Sequence, residues 1–157
     1  MDSINSVNIY KYKNLDINKI NIYDFDIKYD SNTFYIQGPL FTDYEITNHN
    51  DKKYLELKLN EKKGAHINFL LLIDSIEIKL NKFIKQDNSE SNLKTQIITN
   101  IQNKKSLKVK ITDSTCFYNS KKEYVSSLYS NKISVLFKLE FYKFYYSWVA
   151  VQILQLE

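Results

Sequence analysis

The stretch KISVLFKLEFYKFYYSWVAVQILQL, residues 132–156, decides the fold. Its first ten residues set Ile133, Val135, Phe137, Leu139 and Phe141 on one side of an extended chain and Ser134, Leu136, Lys138 and Glu140 on the other. That two-residue period is the mark of a strand with one buried face. SWVAVQILQL, from Ser147 onward, carries little polar content and reads as a second strand. The connector between them, YKFYYS at residues 142–147, is unusually aromatic.

Working outward, LKVKI opposes Leu107, Val109 and Ile111 to Lys108 and Lys110, and CFY at residues 116–118 begins a partner strand. KYLELKLN alternates Leu55, Leu57 and Leu59 against Tyr54, Glu56 and Lys58. In TFYIQGPLF, residues 33–41, the Gly38-Pro39 pair interrupts a strand pattern. Such a break predicts a bulge or sharp bend, and the proline predicts an edge position. From 67 to 86 the apolar residues Phe69, Leu72, Ile73, Ile76, Leu80 and Phe83 recur at helical spacing, with Asp74, Glu77 and Lys79 on the polar side. Residues 1–30, with short alternations such as Val7 and Ile9 or Phe25 and Ile27, read as an irregular N-terminal arm with short edge strands, and 86–92 as a polar loop. The expectation is a single mainly β domain spanning 1–157, with one helix near 67–86 and a barrel core over 31–157.

Composition agrees. A length of 157 residues suits one core. Thirteen Tyr and nine Phe favour strands, while two Gly and one Pro leave turns to Asn, Asp, Ser and Lys. The single Cys116 excludes an intrachain disulfide, and no secretory signal is read at the start, so a reducing compartment is expected and secretion is not. Apolar runs such as FLLLI fall far short of the roughly 18 residues of a spanning helix, so no membrane partner is expected.

Catalysis finds no inventory. His49 and His66 fall in expected loops, and neither stands at metal-ligand spacing with Cys116. Two glycines, Gly38 and Gly64, cannot build a phosphate loop. No enzyme, cofactor, metal or small-molecule substrate is expected.

Charge points elsewhere. All 22 basic residues are lysines, and A+T-rich codons are one explanation of that number. Their placement is less easily explained: residues 1–78 hold nine Lys against twelve acids, about −3, and residues 79–157 hold thirteen against six, about +7. Asymmetry of this kind suggests a polyanionic partner. The candidate nucleic-acid-binding residues are Lys104, Lys105, Lys108 and Lys110, then Phe117, Tyr118, Lys121, Lys122 and Tyr124, and finally Tyr142, Lys143, Phe144, Tyr145, Tyr146 and Trp148. Sequence-tolerant binding of single strands needs cations for phosphates and flat rings for bases.

The order of segments FYIQGPLF, KYLELKL, FLLLIDSIEIKL, SLKVKI and ISVLFKLEFYKFYYSWVAVQI, across residues 33–153, resembles the single-stranded DNA-binding proteins of nucleocytoplasmic large DNA viruses, the type related to the podophage replication protein. The resemblance implies an OB-fold-like five-stranded barrel with extra edge strands, coating of single-stranded DNA in viral replication and recombination, no cofactor, and a cytoplasmic or nuclear site in an infected cell. Two departures stand out: the phage-type acidic tail is replaced by LQLE with the lone acid Glu157, and no arginine is present for guanidinium stacking. Homo-oligomerisation stays open. The competing reading is a viral structural or assembly protein acting through strand edges and aromatic protein contacts. Light scattering separates them: a stable higher oligomer indifferent to oligonucleotides is what the assembly reading expects.

Overall fold

The two strands read at residues 132–156 do pair, over almost their full length. The structure, a computed structural model, describes residues 8–23, 26–87, 94–142 and 145–156. Val7, Phe25, residues 88–92 of the expected loop, Lys143, Phe144 and Glu157 lie outside the described residues. In chain order come β1 (Ile9–Lys11), β2 (Ile20–Tyr23), β3 (Asp26–Tyr29), β4 (Tyr35–Phe41), β5 (Tyr44–His49) and β6 (Lys52–Lys58). Helix α1 (Gly64–Asp87) follows, then β7 (Ile97–Thr99), β8 (Lys105–Ile111), β9 (Cys116–Tyr118), β10 (Tyr124–Val125), β11 (Lys132–Tyr142) and β12 (Tyr145–Leu156). Ten strands share one sheet along the path β1-β4-β11-β12-β8-β6-β5, with β7 on β8, β9 on β12 and β10 on β9. β2 and β3 form a separate pair. The fold is mainly β with one helix, and the sheet is not closed, β1 and β5 being the ends of the path.

β12 is the hub. It runs antiparallel to β11 and parallel first to β8, through Trp148–Val109 and Val149–Lys110, then to β9, through Gln152–Cys116 and Leu154–Tyr118. Its apolar length, legible in the sequence, is what lets one strand serve three neighbours. Tyr142 ends β11, and Tyr145, Tyr146 and Ser147 belong to β12, so these residues of the connector expected at 142–147 are strand.

The Gly38-Pro39 break is a bulge. Ser134 pairs with Leu40 and Leu136 with Gln37, so two residues of β4 oppose the lone Val135. The Gln37 side-chain amide bridges the gap, donating from Nε2 to the Val135 carbonyl at 3.3 Å and to Ser134 Oγ. Contrary to the edge expectation, β4 is internal at Ile36 and Gln37, where β11 pairs on one side and β1 on the other. The proline is tolerated because β1 pairing stops at Gln37, so no ladder partner awaits the N–H that Pro39 lacks. Gly38 is required for a different reason. A Cβ there would lie 2.6 Å from Cε2 of Phe137, a fully buried ring.

One face of the sheet and one stripe of α1 close the core. Leu55 and Leu57, Leu107 and Val109, Ile133, Val135 and Phe137, and Trp148 and Ala150 are buried as the alternation required. Against them α1 presents Phe69, Ile73, Ile76, Leu80 and Ile84, while Leu72 and Phe83 pack at the margin and Leu71 and Ile78 face solvent. Phe69 stacks on Phe137 at 5.6 Å and meets Phe41 edge-on at 5.9 Å. His66 is buried in the first turn of α1, not in a loop: its Nδ1 accepts from the Asn60 N–H at 2.8 Å, which leaves Nε2 to donate to the Leu40 carbonyl at 2.9 Å. His49 ends β5.

The N-terminal segment is docked. Ile20, Ile27 and Tyr29 are buried, Tyr29 lies 4.4 Å from Tyr10, and Lys79 Nζ of the helix donates to the Ile17 carbonyl at 2.8 Å. The expected irregular arm thus supplies core residues through its short strands and two 3-10 turns.

Gly38→Ala should lower unfolding free energy by about 1–3 kcal/mol, because Phe137 must leave its place or the bulge must shift. Chemical denaturation with an unchanged m-value is the measurement.

Candidate nucleic-acid interface

Alternation fixes which side chains share the solvent face. Since Trp148, Val109, Phe137 and Leu55 point inward, their neighbours Val149, Lys110, Lys138 and Tyr54 point outward, and the registers place them in one row across β11, β12, β8 and β6, in which Val149 is covered and the other three are half-buried. A second row holds Lys108 beside Glu56. Lys108 Nζ sits 4.1 Å from the centre of the Tyr54 ring, a cation over a π face. Tyr54, Lys108, Lys110 and Lys138 are all half-buried.

Two pairs of tyrosines flank these lysines. At the end of the β11–β12 hairpin, Tyr142 and Tyr145 are stacked, 4.8 Å apart and 28° from parallel, and Tyr145 is 58% exposed. The Tyr142 hydroxyl donates to Glu140 Oε2 at 2.9 Å, which holds that ring in place. Its partial burial first, and then the Glu140 carboxylate, push the Tyr142 phenol up to about 12. Burial likewise raises the Tyr118 phenol. Both are neutral at ordinary pH, and a neutral ring carries no repulsion toward phosphate. On the other side of the face, β9 and β10 bring Tyr118 and Tyr124 together edge-to-face at 6.3 Å, with Tyr124 69% exposed. Lys121 and Lys122 stand exposed in the turn between these strands, where Asn119 Oδ1 accepts from the N–H groups of Lys121 and Glu123 at 3.0 Å.

Several expected site residues are elsewhere. Tyr146 and Trp148, at 1% and 0% exposure, are core residues, because the β11–β12 register points them inward between Phe141 and Phe137. Neither presents a ring to solvent. The Tyr146 hydroxyl donates to Glu77 Oε2, and burial followed by this bond drives its phenol far above the ordinary value. Glu77, expected on the polar side of the helix, is 8% exposed and also accepts from Thr95 Oγ1 at 2.8 Å and from the Gln96 N–H at 3.3 Å. Phe117 shares the inward side with Ile153 and packs on the core. Lys104 and Lys105 sit at the far end of β8 from Lys110; Lys105 lies on the inward parity and pairs with Glu61 at 3.6 Å. Lys143 and Phe144 are outside the described residues.

Tyr54 and Lys138 belong to the face and were missed, although both already stood on the polar side of their strands in the sequence. Dividing the chain into halves by charge concealed Tyr54, which comes from the acidic half. Glu56 and Glu140 interrupt the basic row, so the face is a mixed one. Among the described residues, no three His, Cys, Asp or Glu side chains gather as a metal site, and no helix is long and apolar enough to cross a membrane.

No protein-family model matches the chain, and no curated protein matches it in sequence. Its fold is similar to that of gp2.5, a single-stranded DNA binding protein encoded by bacteriophage T7, with a TM-score of 0.55 and 9% identity over 80% of this chain and 87% of that one. The single-stranded DNA-binding protein from bacteriophage Enc34 is similar with a TM-score of 0.49 and 11% identity over 86% of both chains. Likeness at such identity is one of fold. The first of these is a bacteriophage protein, and the large-eukaryotic-virus side of the sequence resemblance gains no support from it.

Glu140→Gln should bring the Tyr142 phenol down from about 12, since the carboxylate opposes phenolate formation while the burial contribution stays. Carbon-13 NMR of the Tyr142 ring through an alkaline titration reads the change.

Proposed function

We propose that this chain binds single-stranded DNA across the outward face of β6, β8, β12 and β11, coating strands in viral replication or recombination without catalysis. One observation carries the reading: Lys108, Lys110 and Lys138 share one outward face with Tyr54, half-buried under Lys108, and with the stacked Tyr142–Tyr145 pair at the hairpin end, of which Tyr145 is exposed. Lysines spaced by strand registers match a phosphate track, and exposed rings match bases of any sequence. The likeness in fold to a bacteriophage T7 single-stranded DNA binding protein supports the same ligand. A viral replication site in an infected cell, cytoplasmic or nuclear, is part of the proposal, as is the assignment of residues 1–157 to one domain.

Fluorescence anisotropy with labelled oligo-dT tests it. Affinity should fall with salt at a log-log slope near −3, the sum of roughly −0.7 for each phosphate met by Lys108, Lys110, Lys122 and Lys138. Lys110→Ala and Lys138→Ala should each flatten that slope by about 0.7, whereas Lys104→Ala and Lys105→Ala should leave it unchanged. Tyr145→Ala should cost about 1–3 kcal/mol. Trp148 emission should stay constant through saturation, because that ring is in the core. Absence of binding at low salt sinks the proposal.

A further inference from the structure

Beyond Lys138 the same outward face dips into a half-open cavity of about 340 Å³. Two cross-strand rows build it. Gln37, Leu136 and Gln152 stand side by side on β4, β11 and β12, and Ser134, Leu154 and Tyr118 on β11, β12 and β9. Lys122 closes the lip. The volume is at the low end of small-molecule sites, roughly 300–1,000 Å³.

Its polar groups are arranged. The Val135 carbonyl can only accept, so the Gln37 atom facing it must be Nε2, and this settles the amide's orientation. With Nε2 committed to Val135 and Ser134, Gln37 has only Oε1, an acceptor, to offer a ligand. Ser134 Oγ accepts that bond and keeps its own hydrogen to donate. Gln152, which makes no side-chain hydrogen bond to another described residue, can supply either partner. Acceptor and donor thus stand side by side over a floor of Leu136 and Leu154, with the Tyr118 ring as a wall. A phosphate, which only accepts, leaves the Gln37 acceptor unmatched. A nucleobase edge, with donor and acceptor adjacent on a flat apolar body, matches the whole set.

We infer that this cavity holds one nucleobase unstacked from the bound strand, with Lys122 at the lip meeting the adjoining phosphate. The inference rests on the single-strand reading and adds a defined base site to a face that otherwise takes any ring. Lys138 is two residues along β11 from Leu136 and on the same side of the strand, so the cavity adjoins the proposed track.

The test uses the full chain and two probes of equal length, oligo-dT and a fully abasic deoxyribose-phosphate strand. In NMR titrations the side-chain amide resonances of Gln37 and Gln152 shift with oligo-dT and not with the abasic strand. Gln152→Leu, on the outward face of β12, reduces the ratio of oligo-dT to abasic affinity about 3- to 10-fold, the worth of a hydrogen bond or two. If oligo-dT binds while both amide resonances stay still, or the variant keeps the wild-type ratio, the base site is overturned and single-strand binding stands. If oligo-dT does not bind at low salt, both fall together.

Discussion

The stacking of Phe69 on Phe137 is the contact on which the rest of the structure depends. Phe69 comes from the one helix and Phe137 from the middle of β11, so this pair fixes where helix and sheet meet. Phe137 reaches Phe69 only because β4 passes beside it with a glycine, Gly38, where any Cβ would collide with its ring. The bulge that places Gly38 and Pro39 opposite the single Val135 is therefore set by the core. Aromatic rings bury large areas and tolerate few orientations, which makes such a cluster a strong determinant of geometry. Phe41, Tyr12 and Trp148 complete the contacts around the pair.

That same bulge shapes the solvent side. By moving Gln37 over the Val135 carbonyl, it turns a backbone irregularity into a fixed amide at the surface. Farther along β11, strict alternation carries Lys138, Glu140 and Tyr142 outward while Phe137, Leu139 and Phe141 stay toward the core side. The aromatic hairpin is anchored from beneath by Tyr146, whose hydroxyl bonds a buried Glu77 on α1. A carboxylate taken out of water needs several donors, and Glu77 has three, from Tyr146, Thr95 and Gln96. The exposed Tyr145 stands immediately before this anchor, so its neighbour's burial is what holds it at the surface.

Strand alternation made much of the fold legible. Leu55, Leu57, Leu107, Val109, Ile133, Val135 and Phe137 are buried as read, and the helix differs from the expected 67–86 mainly by starting at Gly64. The candidate site was harder to read. A lysine or tyrosine looks the same in sequence whether it faces solvent or core, and only pairing decides. Tyr145 and Tyr146 are adjacent and of one type, yet one is 58% and the other 1% exposed. Lys108 and Lys105 sit on one strand, and their odd separation sends them to opposite faces. Glu77 gave no signal because its three donors come from residues 18 to 69 positions away.

By itself the sequence determined the class of fold, because a period of two with a buried face can be satisfied only in a sheet, and a stripe at helical spacing only in a helix. It also determined that Gly38-Pro39 must break a strand. The tertiary structure alone decided which strands became neighbours, and thus that Tyr54 from the acidic half would lie beneath Lys108 from the basic half. Periodicity is local and survives in the order of residues; adjacency is set by long-range registers, and those exist only once the core has closed.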